Sequence, residues 1–210
     1  MMNIYLASTS PRRRDLLRRL GLRFQVMTPT ASEEPDAVGL KAGSSPTRYA
    51  VACAKAKALS VAALFDRDRV SQRTGPGLVI GVDTVVVCGK QILGKPRSKA
   101  EARKMLNMLS GRTHSVISGV AVVRMPGRSV LTASETTEVS FRKLHKSEIE
   151  GYIAGPEPYD KAGAYGIQGY GAALVEKVEG DFFGVMGLPV RLVLDLLAES
   201  GFPYEFHSFP

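Results

Sequence analysis

Residues 78–87, LVIGVDTVVV, constrain the fold more than any other stretch of this chain. A run this apolar and this rich in β-branched residues predicts a strand buried on both faces. Asp83 stands in its middle. A carboxylate there is costly to desolvate unless a cation or hydrogen-bond donors meet it. It is either a buried structural acid or an acid with a chemical task. Gly81, two residues earlier, marks a bulge or a place where something approaches the backbone.

A second stretch favours the chemical task. Residues 3–7, NIYLA, read as a short buried strand, and LASTSPRRR, residues 6–14, runs out of it. Leu16, Leu17 and Leu20 then recur at helical spacing. Ser10 is the expected N-cap, Pro11 suits the first helical position, and Gly21 is placed to end the helix. The turn offers backbone N–H groups, the hydroxyls of Ser8 and Ser10, and the guanidinium groups of Arg12, Arg13 and Arg14. A helix start attracts anions, and arginine forks match phosphate oxygens. The plain alternative is a capped surface helix with solvated arginines. A perturbed acid beside a phosphate-binding turn is what metal-assisted hydrolysis uses, which points to a catalytic or metal-holding Asp83.

The rest of the chain fills in around these two stretches. Arg23–Met27 reads as a strand. The polar loop 28–36 carries Glu33 and Glu34, solvated unless it folds back over the phosphate turn. Pro46–Phe65 reads as an alanine-rich helix capped by Ser45. A helical wheel puts Lys57 among Tyr49, Ala50, Cys53, Val61 and Leu64, with Lys55 well away. A lysine inside an apolar stripe needs an anion or must snorkel to the edge, and snorkelling is the commoner outcome. Asp66–Gly77 is a polar loop. Cys88–Leu93 makes a small hairpin through Gly89, and Lys95 follows, a surface lysine or a phosphate contact.

Ser98 and Glu101 form a capping box for a helix that stops at Gly111. His114 has no second ligand at metal spacing and reads as structural. Ser115–Arg124 and Val130–Arg142 form a hairpin, with Glu135 and Glu138 on a solvent face. Ser147 and Glu150 form a second capping box, opening a helix to Ala154. Glycines and prolines crowd residues 155–170, GPEPYDKAGAYGIQGY, and exclude a regular helix. Asp160, Lys161, Tyr165 and Gln168 hang there on flexible backbone, in a structural loop or a binding loop. Ala172–Val178 reads as a strand and Leu188–Leu197 as the closing helix.

Composition bounds the function classes. With 210 residues, the chain suits one α/β domain with an appended lobe. Lys plus Arg number 28 against 20 Asp plus Glu, a net charge of +8 that favours anionic ligands. The basic residues are scattered, which argues against a dedicated nucleic-acid partner. Cys53 and Cys88 give neither a metal spacing nor a disulfide framework, so a reducing compartment is expected. The first residues carry no secretory pattern, and no segment reaches the roughly 18 apolar residues of a membrane span. A cytoplasmic protein without a membrane partner is expected.

Three separated motifs carry a resemblance. LASTSPRRR, then VIGVDTVVVCGKQILGKP with LSGRTHSV, then DKAGAYGIQG with GDFFGVMGLP resemble the Maf (septum-formation-inhibitor-like) nucleotide pyrophosphatases, in family order and over nearly the whole chain. The resemblance implies one α/β domain over residues 1–210. It implies a mixed twisted sheet with flanking helices and two lobes with a cleft, of the inosine-triphosphate-pyrophosphatase-like kind. It implies hydrolysis of nucleoside triphosphates to monophosphate and pyrophosphate with a divalent cation, Mg²⁺ or Mn²⁺, often in a homodimer. Together with the reading of the residues above, it makes Ser8, Ser10, Arg12, Arg13, Lys57, Thr84, Lys95, Lys161 and Gln168 the expected substrate contacts. Glu33 and Asp83 would hold the cation, and Asp83 would also serve as general base.

Arg13, Thr84 and Gln168 are similar to the branch acting on dTTP, UTP and modified uridine nucleotides. The Gln168 amide offers a donor and an acceptor to a uracil or thymine edge, and Gly166 and Gly169 would let a base approach the backbone. The chain departs from the family pattern at Thr9, at Ser118, in the long loop before Leu78, and at Ser32, where an aspartate is usual; the last weakens the match at Glu33. Two alternatives stand beside this reading: a nucleotide- or nucleic-acid-binding cell-division regulator without significant turnover, and a phosphatase that removes the terminal phosphate.

Overall fold

The apolar run forms strand β3, Gly77–Cys88, buried at every position except the half-buried Thr84. The structure, a computed structural model, describes residues 2–31, 45–67 and 77–206. β1 (Asn3–Ala7) lies parallel to β3, from Asn3 opposite Gly77 to Ala7 opposite Gly81. The short β2 (Gln25–Met27) lies parallel to β1 on its other side. The remaining strands are β4 (Gln91–Leu93), β5 (Thr113–Met125), β6 (Ser129–Phe141) and β7 (Val175–Glu179). The sheet runs β2-β1-β3-β5-β6-β7, with β4 antiparallel on β3 and β7 antiparallel on β6. It is a seven-stranded mixed sheet with flanking helices, an α/β fold. The chain divides into two compact units.

The first unit comprises Met1–Asp83, Ser118–Glu135 and Gly187–Pro210. Its helix α1 (Pro11–Arg19) follows β1 directly, and Gly21 takes φ +71° just past its end. Helix α2 (Pro46–Arg67) begins as expected at Ser45, whose Oγ accepts the Arg48 N–H at 3.3 Å. Its buried face is built from small residues: Ala54, Ala58 and Ala62 pack with Tyr5, Val79 and Ala121. The sheet meets this face with glycines. A Cβ on Gly81 would lie 2.2 Å from the Ala54 carbonyl oxygen, and one on Gly119 would lie 2.5 Å from that of Ala50. What approaches the backbone at Gly81 is therefore α2. Helix α6 (Val190–Glu199) buries Val193, Leu196 and Leu197, and the Tyr204 hydroxyl donates to the Leu20 carbonyl at 2.8 Å.

The atom that would obstruct a side chain at Gly81 is helix backbone, which cannot rotate aside. Gly81→Ala is expected to lower stability by about 3 kcal/mol, the upper end of the usual overpacking range. Urea denaturation checks this, with Gly151→Ala as control because a Cβ there meets open space. Equal midpoints for Gly81→Ala and wild type would mean that α2 does not depend on this glycine.

The second unit comprises Thr84–Ile117 and Thr136–Met186. Helix α3 (Lys99–Leu109) is capped by Ser98, whose Oγ accepts the Glu101 N–H at 3.2 Å. Helix α4 (Lys146–Ala154) starts earlier than the Ser147 box suggested. Its N-cap is His145, whose N–H donates to Glu148 at 2.7 Å. Arg142 fixes that choice by donating to both Glu148 oxygens, at 2.6 and 3.1 Å. Glu150, the expected box acid, instead accepts a two-pronged bond from Arg103 of α3.

Residues 157–174 wind as short 3₁₀ turns at Glu157–Asp160, Ala162–Ala164 and Tyr170–Leu174, so β7 begins at Val175 rather than at the expected Ala172. A four-residue helix α5 (Phe182–Val185), unanticipated from the sequence, follows β7. Tyr165, expected on flexible backbone, is buried. Its ring stands edge-on to Phe141 and His114, and its hydroxyl lies 2.8 Å from His114 Nε2. Burial pushes the His114 pKa down to about 4, in keeping with a neutral structural imidazole. No helix among the described residues is long and apolar enough to cross a membrane.

Candidate active site

In the first unit, the parallel register sets the level of the site. Ala7 lies opposite Gly81, so the turn after β1 and Asp83 on β3 both follow the last pair, at the carboxyl end of β1. Open α/β sheets collect their ligands at carboxyl ends of strands. The turn is organised by Ser8, which is 4% exposed. Its Oγ accepts the Ser10 N–H and an Arg13 Nη1–H, each at 3.2 Å. Ser10 occupies the N-cap position with extended backbone, but its own hydroxyl makes no capping bond. The hydroxyl that meets the turn's backbone is that of Ser8.

Arg13 has a second tether. Its Nε donates to the Gly187 carbonyl at 2.7 Å. Gly187 takes φ +108°, a conformation that residues with a side chain rarely adopt. Gly187 therefore reaches the helix start through its backbone carbonyl, and Ser8 and Gly187 together aim the guanidinium. Arg12 and Arg14 are half-buried on the same helix, and among the described residues Arg14 Nε is buried without a partner.

The second feature is an ion pair between α2 and β3. Lys57 Nζ donates to Asp83 Oδ1 at 2.6 Å, and each residue is 8% exposed. The geometry follows from the helix contact at Gly81. Ala54 and Ala58 touch that glycine, Lys57 lies on the same helix face between them, and Asp83 lies two residues along the strand, facing the same side. Lys57 does not snorkel as expected, because α2 lies too close to the sheet and an anion is at hand. Lys55 is exposed, as the wheel indicated. Each charge answers the desolvation of the other, which an unpaired buried charge cannot do.

The second unit holds the other expected substrate residues. Thr84 follows Asp83 on β3, facing the opposite side. Lys95 is exposed, two residues past β4. The Gly163 N–H donates to the Gly94 carbonyl at 3.1 Å and so ties the glycine-rich loop beside Lys95. Lys161 is engaged inside its own loop: Nζ donates to the Glu157 carbonyl at 2.8 Å and to the Asp160 carboxylate. Gln168 is exposed, and its side chain bonds no group among the described residues.

Glu33 lies outside the described residues. Among those described, no cluster of three or more His, Cys, Asp or Glu could hold a metal ion alone. The structure thus brings Ser8, Ser10 and Arg13 together, and Lys57 with Asp83. Sequence reasoning missed Gly187 and Glu157; the one signal for either was its place in a glycine-rich motif.

A cationic helix start and a buried carboxylate at the same level of one α/β sheet form a pattern suited to a phosphorylated anion. Over residues 3–200 the chain matches the family model described as Maf-like protein, and it belongs to that family. It is 48% identical over 202 residues to the dTTP/UTP pyrophosphatase of Moorella thermoacetica, covering 96% of each chain. It is 43% identical over 199 residues to that of Dictyoglomus thermophilum, covering 95% of this chain and 96% of the relative. It is 42% identical over 197 residues to that of Pyrococcus furiosus, covering 94% and 95%. A solved HAM1 protein from Coxiella burnetii superposes with a TM-score of 0.46 at 15% identity, covering 95% of this chain and all of that one.

Proposed function

We propose that the protein hydrolyses dTTP and UTP, and modified pyrimidine nucleotides of the same kind, to the monophosphate and pyrophosphate. The observation that carries this reading is the buried Lys57–Asp83 pair at the carboxyl end of β1, next to the Ser8–Arg13 turn. The names of the relatives supply the substrate class. In the proposed reaction the turn holds phosphate oxygens through Arg13, Arg12 and backbone N–H groups. Asp83 accepts a proton from the attacking water. The new bond forms at the α-phosphorus, the bond from that phosphorus to the bridging oxygen breaks, and pyrophosphate leaves.

A divalent cation fits Asp83 as one protein ligand, with Glu33 proposed as the second. Mg²⁺ needs only one or two carboxylates when substrate phosphates and waters complete its shell. Bound there, it would neutralise phosphate charge. Lys57 already engages one Asp83 oxygen, so Asp83 would offer the cation its other one. Base selection is assigned to Gln168, with Thr84, Lys95 and Lys161 as further substrate contacts. A homodimer rests on the family resemblance, and a cytoplasmic place of action on two cysteines without a disulfide framework.

The test is a panel of nucleoside triphosphates with Mg²⁺ or Mn²⁺ and product identification. Monophosphate and pyrophosphate are expected, with kcat/KM for dTTP and UTP above dCTP and every purine triphosphate. Diphosphate and orthophosphate as first products would overturn the reaction. A binder without turnover would release neither product. Full activity in excess chelator would remove the cation, and faster hydrolysis of 7-methyl-GTP would remove the base assignment alone.

A further inference from the structure

We propose that Glu157 is the positioning residue for base selection by Gln168, an inference that rests on the role given to Gln168 above. Glu157 Oε1 accepts the Tyr152 hydroxyl at 2.9 Å and the Gly171 N–H at 3.0 Å, and Oε2 accepts the Tyr170 N–H at 2.9 Å. The Tyr152 oxygen in turn accepts the Gly166 N–H at 3.1 Å. Both ends of segment 166–171 are therefore fastened to one carboxylate, Gly166 through Tyr152 and Tyr170 and Gly171 directly. Gln168 is the exposed middle of that segment, and Ile167 beside it is buried.

The glycines confirm how tightly the segment closes on this acid. A Cβ on Gly169 would lie 2.2 Å from Glu157 Oε2, one on Gly166 would lie 2.5 Å from Lys161 Cε, and one on Gly171 would lie 2.6 Å from the Gly166 carbonyl. At Gly166 and Gly169 the space a side chain would need is taken by Lys161 and Glu157. These glycines serve the clamp.

The clamp needs a carboxylate. An ionised carboxyl group presents only acceptors, whereas an amide turns one side into a donor. Glutamine at 157 would aim an NH₂ at a donor it now satisfies. Burial pushes the Glu157 carboxyl up, but the bonds from Gly171, Tyr152 and Tyr170 outweigh it and hold the group below its ordinary value. A free glutamine side chain is a poor reader of a base; anchored backbone on both sides limits where its amide can be.

The experiment measures kcat/KM for UTP and dCTP in wild type, Gln168→Ala, Glu157→Gln, Tyr152→Phe and the Gln168→Ala/Glu157→Gln double variant. Circular dichroism and thermal midpoints accompany each. The UTP:dCTP ratio is expected to fall about tenfold in Glu157→Gln, on the order of a lost base-reading bond, and by less in Tyr152→Phe, which keeps the ring and loses only the hydroxyl. Saturated kcat for UTP should fall less than the ratio. The double variant should lose no more selectivity than Gln168→Ala alone. Wild-type ratios in both Glu157→Gln and Tyr152→Phe, with a flattened ratio in Gln168→Ala, overturn the inference and leave the role of Gln168 standing. If Glu157→Gln does not fold, Tyr152→Phe decides in the same way. If Gln168→Ala keeps the wild-type ratio, both fall together.

Discussion

Asp83→Asn is expected to fold, to bind nucleotide and to turn it over at least about 10²-fold more slowly than wild type, the usual scale for a lost general base. Asparagine keeps the size and planarity of the side chain. Its carbonyl oxygen can still accept the Lys57 ammonium bond, which is 2.6 Å long in the native pair. What it loses is the negative charge and the ability to take a proton. Binding should survive because the proposed phosphate contacts lie elsewhere, at Ser8 in the turn after β1 and at Arg13 on α1. Steady-state turnover, calorimetric nucleotide affinity and a thermal midpoint together check the prediction. Near wild-type turnover in a folded, nucleotide-binding variant would remove Asp83 from the chemistry, as base and as cation ligand alike.

The fold was most legible where burial alone decides. NIYLA is β1 residue for residue, and LVIGVDTVVV extends by one residue at each end to become β3. A strand covered on both faces leaves few other choices. Boundaries decided by distant partners were not legible. Two overlapping patterns, His145 with Glu148 and Ser147 with Glu150, compete for the start of α4. Arg142 and Arg103 settle it, and neither belongs to that helix. Gly119 lies inside an apolar strand, and nothing nearby in sequence reveals that Ala50 of α2 will rest on it.

The site was legible in parts and not in its connections. The wheel showed that Lys57 must find an anion or snorkel, and the apolar run showed that Asp83 needs a cation or hydrogen-bond donors. Neither observation names the other residue, because their pairing depends on how closely α2 sits over Gly81. Likewise the glycines and prolines of 155–170 excluded a regular helix and suggested slack backbone. They could not reveal a carboxylate with three donors around it, or a tyrosine packed edge-on to His114 and Phe141. Arg13 was recognisable as a candidate anion ligand, but its tether at Gly187 is 174 residues away in sequence.

Lys57→Met is expected to cost the fold about 3–5 kcal/mol, because it leaves the Asp83 carboxylate buried without its partner. Methionine matches the stem of lysine in length, so little packing is lost and the deficit reports the charge. Replacing both partners with apolar groups, Lys57→Met with Asp83→Val, should recover most of that stability, since a buried ion pair and a well-packed apolar pair are often equivalent. The double variant should nevertheless be inactive. Urea denaturation of wild type, both single variants and the double variant gives the coupling energy directly. A Lys57→Met protein within about 0.5 kcal/mol of wild type, the range of a neutral surface change, would mean that Asp83 finds another partner or stays hydrated. Turnover in the double variant would mean that the pair is structural. Stability regained without turnover is the informative result: an apolar pair would then hold α2 on the sheet as well as the charges do, and the ammonium and carboxylate would be kept there for the phosphate chemistry alone.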